Sequence, residues 1–119
     1  MAKTSRRKTL TITDAVISGQ EEGPLKPSPI KSGFIIASKN FVANDLVATR
    51  IMGFDYKKIP IFRYALDSKN NLISTDKELS NIIIKSHQYG ILNFCQLREY
   101  YKMKFIPSSG WKNHVELID

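Results

Sequence analysis

Along this chain the spacing of apolar and polar positions changes several times, and each change predicts an element. Thr9 to Thr13 alternates, with Leu10 and Ile12 on one side and threonines on the other, the two-residue period of a half-buried strand. Asp14 closes that strand, and Ala15-Val16-Ile17 extends it. From Ser18 to Ser32 the periodicity disappears among Gly19, Gly23, Pro24, Pro27 and Pro29. Those prolines forbid helix and favour an extended loop. Gly33-Phe34-Ile35-Ile36-Ala37 is apolar at every position, as in a strand covered on both faces.

Phe41 to Met52 has helix-forming composition without Gly or Pro. Asn40 before it suits an N-cap, because its side chain accepts a bond from the first free backbone amides. Gly53 suits the position just past the end. Asp55 to Lys58 then reads as a turn, and Pro60 as the first residue of a second helix running to about Leu66. Asp67 to Ser74 is a polar loop, and Thr75-Asp76-Lys77-Glu78 has capping-box spacing ahead of a short helix. Ile82-Ile83-Ile84 predicts a third strand, and Asn93 to about Lys102 a last helix. Pro107-Ser108-Ser109-Gly110 ends it, leaving Val115, Leu117 and Ile118 to dock a tail.

These elements predict an α/β fold: a small mixed sheet from strands near 9–13, 33–37 and 82–86, covered by the central helix 41–52. With 119 residues there is room for one domain, expected at 9–119 behind a basic flexible tail at 1–8. Lys3, Arg6, Arg7 and Lys8 supply four of the seven net positive charges. The charge is therefore a property of the tail more than of the domain, and nucleic-acid binding is not the favoured reading. Tyr100-Tyr101-Lys102-Met103-Lys104-Phe105 interleaves aromatics with lysines, which fits base stacking but fits better the end of an amphipathic helix.

One cysteine excludes a disulfide framework and a Cys-ligated iron–sulfur cluster within this chain. Cys95 reads as core filler, and nothing in the spacing joins it to His87 or His114. No apolar run approaches the roughly 20 residues of a membrane span, and no secretory segment follows the basic start. A reducing cytoplasm is the expected compartment.

The chemistry of interest lies in carboxylates. On a helical projection of about 100° per residue, Asp45 falls among Phe41, Met52, Thr49 and Val42, inside an apolar stripe. A carboxylate there costs several kcal/mol unless paired, hydrogen-bonded or metal-bound. Backbone amides, Arg50 or Arg63 are one set of partners; a ligand shared with Asp14 is another. Asp14, Glu21 and Glu22 could converge at one sheet end, where oxygen ligands would hold Mg²⁺ or Mn²⁺, with Asp14 and Asp45 as metal ligands. Lys39 and the free amides at Asn40 could meet an anionic small molecule, although the glycine-rich phosphate fingerprints are absent.

Several patches resemble the family called domain of unknown function number 362. They are Asp14-Ala15-Val16-Ile17-Ser18-Gly19-Gln20-Glu21-Glu22-Gly23-Pro24-Leu25, Gly33 to Ser38, Val42-Ala43-Asn44-Asp45, Arg50 to Asp55 and Lys58-Ile59-Pro60. A last patch joins Phe105-Ile106-Pro107, Gly110-Trp111 and His114-Val115-Glu116. Phe41, Asn44 and Gln20 depart from that family's pattern. The resemblance implies an α/β fold and a chain forming only the C-terminal part of a larger, incomplete domain, in a family often associated with ferredoxin modules. It implies no reaction. Two functions follow as expectations: a site for a divalent metal or anionic ligand at Asp14, Glu21, Glu22, Lys39, Asn40 and Asp45, or a non-catalytic interaction module. The module would dock on another protein, or on a second copy, through an open sheet edge.

Overall fold

The computed structural model describes residues 7–67, 79 and 81–118. In chain order the elements are β1 (Thr11–Glu22), β2 (Lys26–Ser38), α1 (Phe41–Met52), a 3₁₀ turn (Tyr56–Lys58), α2 (Pro60–Ala65), β3 (Ile83–Ser86), β4 (Gly90–Asn93) and α3 (Leu97–Tyr100). The class is α/β, as expected, but the strands form two separate antiparallel hairpins, β1–β2 and β3–β4, and no single mixed sheet. Ile83 and Ile84 pair with Asn93 and Leu92, because the Ser86-to-Gly90 turn returns the chain on itself before it can reach β2.

The expected proline-rich loop is the outer half of the first hairpin. Gly19 faces Pro29 and Glu21 faces Pro27, so only Gly23-Pro24-Leu25 is left as the connection. In a two-stranded sheet both strands are edges, and a proline lacking an N–H is tolerated on an edge. A glycine at 19 is required by the diagonal neighbour on β2: a Cβ there would lie 2.9 Å from the Pro27 Cβ. A bulge on β2 places Ser32 and Gly33 opposite Val16, and Gly33 takes a φ of 75°, the left-handed conformation such a bulge favours.

The expected bounds and caps of α1 hold. Asn40 Oδ1 accepts the Ala43 N–H at 3.0 Å, and Gly53 ends the helix with φ 86°. The helix buries Val42, Leu46, Val47 and Ile51 in a core with Phe62, Ala65, Leu79, Phe94 and Leu97. Phe34 and Ile36 of β2 pack against that cluster from the hairpin side. Pro60 begins α2 as expected. The last helix is shorter than its composition suggests: Asn93 to Gln96 form a turn closed by reciprocal side-chain bonds, and Cys95 is exposed on it, not buried as core filler. The capping box at 75–78 lies outside the described residues. Among those described, no helix is long and apolar enough to cross a membrane.

Candidate functional site

The polar residues that α1 buries are Asn44, most deeply, and Thr49, not Asp45. Asn44 is 1% exposed, its Oδ1 accepts the Thr13 hydroxyl at 2.6 Å, and its Nδ2 donates to the Ile36 carbonyl at 3.5 Å. It therefore joins α1 to both strands of the first hairpin. Asp45, one position on, is exposed. Of the residues sharing its stripe, Val42 and Thr49 are buried, so Asp45 lies on the stripe's solvent side with Phe41. Phe41 is itself exposed and Met52 half-buried. Partial burial still raises the Asp45 carboxyl above its ordinary pKa. Arg50, a proposed partner, goes elsewhere: its Nη2 donates to the Cys95 carbonyl at 3.4 Å and its guanidinium lies 5.0 Å from the Phe94 ring centroid.

Nor do the carboxylates of β1 gather at a point. Because residues 18–22 continue the strand, Asp14 and Glu22 stand about 25 Å apart along it, at ~3.3 Å per residue. Each has its own local bond. Asp14 Oδ1 accepts the Val16 N–H at 3.1 Å, Glu21 Oε2 the Ser28 hydroxyl at 2.9 Å, and Glu22 Oε1 the Ser109 N–H at 2.7 Å. Among the described residues, no three His, Cys, Asp or Glu side chains come together as a metal site. Lys39 is exposed, its carbonyl accepting the Thr9 hydroxyl, and the Asn40 side chain is committed to its cap.

What the structure does build near Glu21 is a cleft. The segment after α3 runs back between the end of α1 and β1. The Phe105 N–H donates to the Met52 carbonyl at 2.9 Å, and the Glu21 N–H donates to the Ile106 carbonyl at 2.8 Å. The Ile106 N–H donates to Gln20 Oε1 at 3.1 Å. Arg98 Nη1 steadies the approach by donating to the carbonyls of Tyr101 and Met103. This strap passes so close to Gly53 that a Cβ there would meet the Met103 carbonyl oxygen at 2.7 Å. The cleft so enclosed is about 270 Å³, with Gly19, Gln20, Glu21 and Gly23 on the hairpin side. Met52, Phe54, Ile59, Phe105, Ile106, Pro107, Ser108, Trp111 and Val115 form the opposite wall. Sequence reasoning missed those walls, although Phe105-Ile106-Pro107 and Gly110-Trp111 had stood out as family-like patches.

The second feature is the outward face of the first hairpin. Thr11, Thr13 and Ala15 pair with Ser38, Ile36 and Phe34 on the side toward α1. The alternate residues, Ile12 and Asp14 with Ala37 and Ile35, face away and are exposed, Ile12 and Ile35 at 63% each.

A model described as domain of unknown function (DUF362) matches residues 1–50. That is the family the sequence patches resemble. The matched residues are the N-terminal part of this chain, so the expectation that the whole chain is the family domain's C-terminal part is not borne out. The matched residues include the first hairpin and nearly all of α1, the unit that Asn44 ties together; the far wall of the cleft lies beyond them. No curated protein and no solved structure matches the chain.

Proposed function

We propose that the chain is a non-catalytic interaction module, and that a second polypeptide covers the outward face of the first hairpin. The observation that carries this reading is the mismatch between β2 and its surroundings. Gly33 to Ala37 is apolar on both faces, yet only Phe34 and Ile36 are packed, while Ile35, Ile12 and Leu10 stay in water. Burying such side chains is worth about 1.5–3 kcal/mol each, and clustered exposed apolar residues mark interaction surfaces. The partner is an apolar strand or helix face carrying a lysine or arginine. Asp14 lies in the middle of the patch and, among the described residues, receives the Val16 N–H on one oxygen alone, which leaves the other for a cation. A divalent metal or an anionic ligand at Asp14, Glu21, Glu22, Lys39, Asn40 and Asp45 is less well supported: the three carboxylates of β1 are strung along the strand on local bonds, Asn40 is spent on its cap, and Lys39 and Asp45 are exposed.

Light scattering and crosslinking of wild type and Ile35→Lys test the module. The expected result is an assembly, with itself or with a co-purifying chain, that Ile35→Lys loses while its circular dichroism is unchanged. A wild type that stays monomeric and partner-free at all concentrations, indistinguishable from Ile35→Lys, overturns it.

A further inference from the structure

We infer that the cleft between β1 and the 105–115 strap is a binding site for a small organic cation, an ammonium carried on an apolar body. Its wall is apolar and rich in aromatics: Phe54, Phe105 and Trp111 all line it. Glu21 is the one ionisable residue among those lining it, and it brings a negative charge to a chain of net charge +7. Among the described residues that charge has no ion-pair partner; its recorded side-chain bond is the neutral Ser28 hydroxyl. An aromatic lining that includes one acidic residue is the combination that attracts an ammonium group, through ring quadrupoles and direct charge. An anionic ligand meets that charge's repulsion, and a purely apolar one gains nothing from it. The cleft is also held by backbone bonds at Glu21, Ile106 and Phe105, so its shape does not depend on the Glu21 side chain.

Trp111 is the only tryptophan and is 47% exposed on the cleft wall, so its emission reports occupancy directly. Phenylbutylamine, phenylbutanol and phenylbutyrate share one apolar body and differ in charge, which makes them suitable probes. The amine is expected to shift Trp111 emission saturably and to bind at least about tenfold more tightly than the acid, with the alcohol between them. Glu21→Gln should bring the amine down to the alcohol's affinity, whereas Ser28→Ala, which removes the hydroxyl and keeps the charge, should preserve the preference for the amine. No Trp111 response to any of the three overturns the site, and an acid that binds as well as the amine overturns its cation preference. The wild-type series decides both points even if a variant misfolds.

Discussion

The two faces of the first hairpin carry similar side chains and have opposite fates. On the inner face Phe34 and Ile36 pack on the core around α1, Ala15 is buried, and Asn44 supplies the polar contact to Thr13 and Ile36. On the outer face Ile12, Ile35 and Ala37 surround Asp14 and meet solvent. The difference teaches that a strand's apolar content does not say which of its faces the same chain will cover. On the inner face, burial makes each polar group depend on one partner. On the outer face the one side-chain bond is the local one from the Val16 N–H to Asp14, and the apolar side chains meet solvent among the described residues.

The comparison is broken most severely at Asn44. Asn44→Ala leaves the Thr13 hydroxyl and the Ile36 carbonyl without their partner inside a packed interface, and should cost about 2–4 kcal/mol. A urea unfolding midpoint that moves by less than a quarter of that would show that the joint between hairpin and helix lies elsewhere. Next in size is Gly53→Ala. It adds a Cβ at positive φ and against the Met103 carbonyl, so about 1–3 kcal/mol is expected, with a change in Trp111 emission as the strap is displaced. Unchanged emission would mean that the strap holds its place without the close approach.

On the outer face, Ile35→Thr should alter the stability of the isolated chain by no more than about 0.5 kcal/mol, in contrast to the inner face. A larger loss by thermal melting would mean that the face is covered within the chain itself. The smallest effect belongs to Asp45. Its carboxyl holds its proton more tightly when folded than when unfolded, so protonated Asp45 favours folding at low pH and that advantage disappears as pH rises through the raised value. Asp45→Asn should therefore match wild type in strong acid and be slightly more stable at neutral pH, within about 0.5 kcal/mol. Melting curves across that range check the sign.

Asp45 and Asn44 also mark where legibility ended. The pattern of α1 announced a buried polar group and missed it by one position, because the helix is apolar nearly all round and no side of it declares itself wet. The projection took its bearing from Phe41 and Met52, the residues at the helix ends, of which Phe41 is exposed and Met52 half-buried. Likewise, Gly19, Pro27 and Pro29 read as a loop in isolation. Their pairing across the hairpin, with Pro27 fitted against a glycine, exists only once both strands are in register. The cleft was invisible because Glu21 and Ile106, joined by a backbone bond, lie far apart in the chain.

What the amino-acid order settled alone were features closed within a few residues: the Asn40 cap, the Gly53 stop, the turn after it and the start at Pro60. Each is a hydrogen bond or a dihedral restriction between near neighbours, so no distant segment could change it. The folded chain decided which side of α1 is dry, which face of β2 is bare and where an acidic residue joins an aromatic lining. Burial belongs to pairs of surfaces, and a surface acquires its partner only when remote segments arrive beside it.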